Sequence, residues 1–448
     1  MFRLALLISL YAFPFFSFCQ TSVDTTGVLD PVSYQQDFAK LQQALRQTYP
    51  SLYRFQNKHT VDRVLDSCYR SIRKGIDPTN FYATVKYVLS FLEDGHLSCS
   101  PSPSLRQHFE EQRYFPLSLV FLKDGAYNYC DHSGIPKGAK IISINNIPIE
   151  RIKERLYAYL VSDGNIKTAK DWTLNNTFWF YYYLAYGSMP TFQVGYKMSS
   201  GVLKEAIVTP VLRSQFTCSG YQFSQPTDLL ALSFPQKDVA VMTIQTFAYQ
   251  KLTEAKKDFG VFLDSCFKEV NGKGISKLII DLRGNGGGAD VYGSYLYSYL
   301  TNRPFSYYKE LQTVEKKLTI ADHPNLAIQK PNDIYYKGKL FILINGLTFS
   351  AAAEFCAIAK TNKRALFIGE ETGGTYCGNT SGNSVNTLLP NTGISVSLPT
   401  TKYVMAVKSA KQSDRGIFPD YTVLPTIEAV LSNRDTQLSE AIKLAAVK

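Results

Sequence analysis

The apolar positions of the first hundred residues recur at helical spacing. Phe38, Leu41, Leu45 and Tyr49 form one stripe, and Pro50 marks its end. Val61, Val64, Leu65, Cys68 and Ile72 form a second, and Phe81, Val85, Val88, Leu89 and Leu92 a third. Asp-Pro-Thr-Asn before Phe81 supplies capping residues, and Gly95 suits the helix end, so His96 emerges where the third helix stops. From about residue 113 the pattern shortens to strands. "FPLSLVFLKDGAYNYC" predicts a hairpin around Asp124-Gly125. "KIISI" predicts a strand, Asn145-Asn146 a tight turn, and "IERIKERLYAYL" a helix. Residues 168 to 225, with the aromatic cluster "FWFYYYLAY", show no clear period.

From about 226 strands and helices alternate. "VAVMTI" predicts a strand, "LTEAKKDFGVFLDSCFKEV" a helix and "SKLIIDL" a strand. After "RGNGGG" come a helix, the strand "KLFILI", a helix from Ala351 and the strand "ALFIG". The end turns to strands in "NTLLP", "ISVSLPTTKYVM" and "YTVLP". This order predicts an α/β layered fold with a mostly parallel sheet.

At 448 residues the chain is long enough for two or three domains. Its formal charge is +11, but no basic block or nucleic-acid motif accompanies the excess, so no nucleic-acid partner is expected. The 30 Tyr and 28 Phe fit either an ordinary core and rim or a peptide- or sugar-binding surface.

"MFRLALLISLYAFPFFSFCQ" has a short basic start at Arg3, an apolar stretch from Leu4 to Phe16, and small residues Ser17 and Cys19 before Gln20. This reads as a signal peptide over 1–19, which predicts a periplasmic or secreted protein. A lipid anchor on Cys19 ranks second, because bulky Phe18 precedes it, and a retained membrane helix third. Seven of the eight cysteines remain after Cys19 is removed. Their odd number and wide spacing do not suggest a disulfide framework, and no metal-like Cys/His cluster occurs.

Two joints carry candidate chemistry. In "DLRGNGGG" a strand runs into four glycines within five positions. The pattern lacks the lysine of a phosphate loop, so it reads as a loop whose N–H groups face a developing oxyanion, or as a tight turn. In "NGLTFSAAAEF", Ser350 sits between a strand and a helix. That is a helix-cap position and also the place where an α/β enzyme exposes a nucleophile. Ala351, at the helix start, can donate its N–H to an oxyanion. A serine nucleophile needs a base. Of the five histidines, His96 in "LEDGHLS" is the best placed.

Together these stretches resemble serine peptidase family 41, the tail-specific or C-terminal processing peptidases with the related tricorn core and retinoid-binding-protein repeats. "KLIIDLRGNGGG", "FILINGLTFSAAAEF", "ALFIGEETGG", "DRGIFPDYTV" and "FLEDGHLS" carry the resemblance. It implies a crotonase/ClpP-like ββα spiral over 226–448, an N-terminal helical domain over 20–112 and a PDZ-like α+β domain over 113–225. "IPKGAKIISINNIPIERI" matches the PDZ core, although the loop at Leu117–Phe121 lacks the usual carboxylate-binding glycines.

The processing branch of the family uses a Ser–Lys dyad, but its lysine position is Thr375 here. The tricorn-like branch uses a histidine instead, which points to His96. It also implies an acidic residue near the C-terminal signature, assigned to Asp414, with Ser413, Glu370 and Glu371 as alternatives. The implied site is Ser350 as nucleophile, His96 as base and Asp414 as its support, with Gly286 or Gly287 and Ala351 as oxyanion donors and no cofactor or metal. The implied activity is serine endopeptidase action on peptides or unfolded proteins. The rival readings are a silent binder of peptide or apolar ligand and, more distantly, a crotonase-type acyl-CoA enzyme.

Overall fold

The computed structural model describes residues 29–73, 76–131, 134–218, 220–221, 228–408 and 413–447. The expected signal peptide and Cys19 lie outside them. No helix among the described residues is long and apolar enough to cross a membrane.

The three N-terminal helices form where the stripes place them, at Pro31–Thr48, Lys58–Ser71 and Pro78–Phe91. Each starts on a side-chain cap: Asp30, Asn57 and Asp77 accept hydrogen bonds from first-turn N–H groups, and proline follows Asp30 and Asp77 in the first turn. The short strand Ser98–Ser100 then leaves this unit and pairs antiparallel with the far end of the chain, Ser98 opposite Ser397. Leu389, Ile394, Val396 and Leu398 are accordingly buried in the same core as Tyr34, Phe38 and Leu89.

An antiparallel sheet follows, in the order Leu119–Leu122, Gly125–Asn128, Lys140–Ile144, Phe192–Lys197, Leu203–Val208. Asn145 and Asn146 both adopt positive φ, 48° and 61°, as a tight hairpin turn requires. The aperiodic aromatic segment is a helix, Lys167–Tyr186. Its pattern is blurred because aromatic rings occur on both its core side, such as Phe178 and Tyr182, and its rim, such as Trp179 and Phe180. Cys130 and Cys218 form a disulfide with Cα atoms 6.4 Å apart, contrary to the expectation from cysteine spacing. Their separation of 88 positions hid the pair in the sequence.

The remaining chain builds a six-stranded sheet in the order Leu230–Gln236, Val239–Ile244, Lys277–Asp281, Lys339–Ile344, Leu366–Gly369, Tyr421–Thr422. Only the first pair is antiparallel. Both faces are covered, which is why its central strands read as unbroken apolar runs. Leu278, Ile280, Ile342 and Ile344 face helices Phe259–Gly272, Asp290–Ser298 and Ala351–Thr361. Ile279, Phe341 and Leu343 face the C-terminal helix Thr436–Val447 through Ala441 and Ala445. That helix was not foreseen from the sequence. The long helix expected from Leu252 is two, Tyr249–Glu254 and Phe259–Gly272. Lys256 takes φ 54° between them, and Asp258 caps the second through the Val261 N–H.

Candidate active site

Ser350 follows the strand Lys339–Ile344 by a turn that is stitched to the glycine loop. Asn345 Oδ1 accepts from the Gly284 N–H at 3.0 Å, Thr348 donates its hydroxyl to the Leu282 carbonyl at 2.9 Å, and the Phe349 N–H donates to the Asn285 carbonyl at 3.0 Å. Ser350 itself is held at φ 51°, ψ −131°, a conformation a side-chain-bearing residue adopts only when its surroundings impose it. Its hydroxyl makes no capping bond to the helix Ala351–Thr361. The cap role open from the sequence is therefore not the one its side chain plays.

Two glycines admit this turn. A Cβ on Gly287 would lie 2.7 Å from Ser350 Cβ, and one on Gly374 would lie 2.6 Å from Ala353 Cβ and 3.2 Å from Ser350 N. The loop carrying Gly374 is pinned by the Gly373 N–H donating to the Thr348 carbonyl at 2.9 Å.

Of the expected oxyanion donors, the Gly287 N–H is taken by Asn285 Oδ1 at 2.9 Å. The N–H groups of Gly286 and Ala351 have no protein partner among the described residues, and the space a Gly286 side chain would fill is open. Arg283, the charged residue of the glycine motif, is structural. It is buried and pairs with Asp281 at 2.6 Å and Asp435 at 2.7 Å, tying the loop to the C-terminal helix.

His96 reaches the same place from the helical unit. Its ring stacks on Phe349, the neighbour of Ser350, with centroids 4.5 Å apart and planes at 28°. Gly95 makes the approach possible, since a Cβ there would meet Phe349 Cζ at 2.8 Å. Neither imidazole nitrogen has a hydrogen-bond partner among the described residues, so Ser350 and His96 lie near each other without being bonded. The carboxylates beside the ring are Asp94 and Asp163, not Asp414. Asp414 instead offers its backbone carbonyl to the Asn165 N–H at 2.8 Å and packs on Gly164, steadying the loop that carries Asp163. Asp94 takes a hydrogen bond from the Tyr49 hydroxyl at 2.6 Å and from the His96 N–H at 2.9 Å, and Asp163 one from the Gly95 N–H at 2.8 Å.

These charges bias each other. Burial pulls the His96 pKa down, but Asp94, Asp163 and Glu354 outweigh it and raise it above the usual value. Burial pushes Asp94 up, yet His96 and Tyr49 hold it below the ordinary carboxylate range. Burial and then the Asp94 charge push Asp163 up to about 6. Glu354, in the first turn after Ser350, is pushed up to about 7 by burial and Asp290, while accepting from the Tyr308 hydroxyl at 2.6 Å and Asn379 at 2.7 Å.

Thr375, at the position of the family lysine, is buried and donates its hydroxyl to the Gly378 carbonyl. Arg54 stands beside it, donating to Gly378 at 2.5 Å and Thr375 at 3.4 Å. Glu370 and Glu371 are committed elsewhere, to Trp172 Nε1 at 3.0 Å and to Arg415 at 2.6 Å. A cavity of about 810 Å³ near Asp77, His108 and Tyr183 includes none of these residues. Asp163 and Glu354 carried no sequence signal. Asp94 did, as the acidic residue of the Asp-Gly-His motif.

Residues 238–423 match Peptidase family S41. Over this segment the chain is similar to that family of peptidases. It is 31% identical over 139 residues to the tail-specific protease of Haemophilus influenzae, a stretch that covers 31% of this chain and 18% of that protein. The chain thus spans under a fifth of that relative's length. The fold matches mature CPAF complexed with lactacystin at a TM-score of 0.65 and 16% identity, over 92% of this chain and 97% of that one. Mature CPAF alone matches at 0.62 and 16% identity, over 90% and 94%.

Proposed function

We propose that the protein is a secreted or periplasmic serine endopeptidase acting on peptides or unfolded proteins. The observation that carries this reading is the conformation of Ser350: a serine at positive φ, packed on Gly287, its hydroxyl unused by the helix it precedes. Strain of this kind is kept where the surrounding structure enforces it, and it clusters at active sites.

In the proposed reaction Ser350 Oγ attacks the peptide carbonyl and gives its proton to His96. Nδ1 of His96 lies on the Asp94 side, so Nε2 is the nitrogen left for the serine. The flanking carboxylates stabilise the imidazolium, which then protonates the leaving amine. The free N–H groups of Ala351 and Gly286 receive the oxyanion. Water releases the acyl group by the same steps in reverse order. The ring and the hydroxyl must draw together on substrate binding, since catalytic hydrogen bonds often tighten only in that complex.

We read the antiparallel middle sheet as PDZ-like and the C-terminal half as a crotonase-like spiral, with domains near 20–112, 113–225 and 226–448. The Cys130–Cys218 disulfide supports an oxidising compartment, as does the signal-peptide reading of 1–19.

A second reading, a silent binder of peptide or apolar ligand, draws on Thr375 in place of lysine and on the unbonded His96 ring. A fluorophosphonate probe separates the two. Labelling of the wild type, lost in both Ser350→Ala and His96→Ala, supports the peptidase. Equal labelling of all three proteins removes Ser350 as nucleophile, and no labelling of any favours the binder.

A further inference from the structure

Asp94, His96 and Asp163 do more than one base requires. A catalytic histidine needs one orienting partner, and here two buried carboxylates face one ring, with one ligand-type atom from each residue lying within 4.8 Å of the others. Asp163 is 2% exposed, and among the described residues its Oδ2 has no hydrogen-bond partner, nor has either nitrogen of His96. Unpaired buried polar atoms are costly, so Asp163 Oδ2 and an unbonded His96 nitrogen beside Asp94 mark a place built for a guest. The Arg54 guanidinium acts on Asp163 less than His96 does, and its hydrogen bonds go to Gly378 and Thr375.

One of the spacings fits a compact metal ion. His96 Nδ1 and Asp94 Oδ1 are 3.6 Å apart, too far for a hydrogen bond. Two ligands on a tetrahedral zinc ion, at about 2.0–2.2 Å each, sit roughly 3.4 Å from one another. An imidazole with two carboxylates suits zinc and its transition-metal neighbours, whereas magnesium and calcium favour oxygen-only shells.

We propose that Asp94, His96 and Asp163 bind a divalent transition-metal ion of the zinc class, and that the bound ion silences the peptidase by occupying its base. The inhibition rests on the reading of His96 as base; the metal site does not. A metal at Nδ1 leaves the ring unable to become imidazolium, so Ser350 has no proton acceptor. A chelator restores activity.

The test is calorimetric titration of the full-length, oxidised, chelator-cleared protein with zinc chloride, and separately with magnesium chloride. We expect one saturable zinc site per chain and no magnesium site. Outer-shell changes alone cost about 10–100-fold in metal affinity, so Asp163→Asn and His96→Gln should each weaken binding at least about tenfold. Circular dichroism checks that both variants fold, and the second covers failure of the first. Ser350→Ala should bind zinc like the wild type, so binding is read without activity. Zinc uptake by a protein that no fluorophosphonate labels would sustain the metal site and refute the peptidase. A blank zinc titration of a labelled, active protein would overturn the metal site alone. Binding that survives both ligand substitutions would also overturn it, as adventitious surface binding.

Discussion

Gly287 presses directly on Ser350: a single added carbon at the glycine would come within 2.7 Å of the serine Cβ and 2.9 Å of the Ala351 nitrogen. Gly287 also sits at φ 93°, where an L side chain is strained whatever the space. Gly287→Ala is expected to destabilise the protein by at least about 1 kcal/mol and to slow fluorophosphonate labelling at least tenfold. Urea unfolding and labelling rates measure the two effects separately. A variant that labels at the wild-type rate would show that the glycine does not hold the serine in place.

With His96 as the proposed base, the carboxylates beside it should set the acid limb of the pH profile. The base works deprotonated, and its pKa is raised, so activity should fall as pH drops through a value above 6.5. Asp163→Asn removes one of the raising charges and should move that limb to lower pH. Asp414→Asn should leave the limb where it is, since the Asp414 contact is its backbone carbonyl. Rate against pH for the three proteins decides which aspartate faces the base.

Glu370 gives a stability prediction with a definite sign. Burial lifts its pKa from 4.5 to about 7, against hydrogen bonds from Trp172 and the Gly346 N–H. The folded form therefore holds a proton that the unfolded chain releases, and stability declines as pH rises from about 4.5 to 7. Glu370→Gln removes the titration and should be more stable than wild type at pH 8 by about 1–3 kcal/mol, with no difference below pH 4.5. Denaturant midpoints at the two pH values check it.

Restoring the family lysine should fail. Thr375 is 2% exposed, with the Arg54 guanidinium at its hydroxyl. A lysine there adds bulk to a filled site and a second cation beside Arg54. We expect Thr375→Lys to cost about 2 kcal/mol and to give no labelling in a His96→Ala background. Recovery of labelling in the double variant would show that the lysine mechanism remains latent in this fold.

What could be read from the sequence follows from how local each feature is. The strands Lys277–Asp281 and Lys339–Ile344 are buried on both faces, so their composition alone identifies them. Ser350, Gly286, Gly287 and Ala351 lie at the ends of those strands, where a few neighbouring residues decide the geometry. His96 stood out for the same reason, as a residue after a helix stop. Asp163 was not, because its place depends on a loop held by the Asp414 carbonyl, some 250 residues away. Asp414 was assigned a side-chain role from the family motif, whereas the contact found is its backbone carbonyl on Asn165. The Lys167–Tyr186 helix was hidden because its rings are shared between core and rim, leaving no polar face to count.

The pairing of Ser98 with Ser397 has a bearing on synthesis. His96 lies two residues before a strand whose partner is made about 300 residues later. A chain emerging from the ribosome carries the histidine early, with nothing to hold it against Phe349. Contacts between such distant segments form slowly and late. The two halves of the proposed site therefore stay apart until the chain has been made past Ser397, and a product that stops before Ser350 carries the proposed base without the nucleophile.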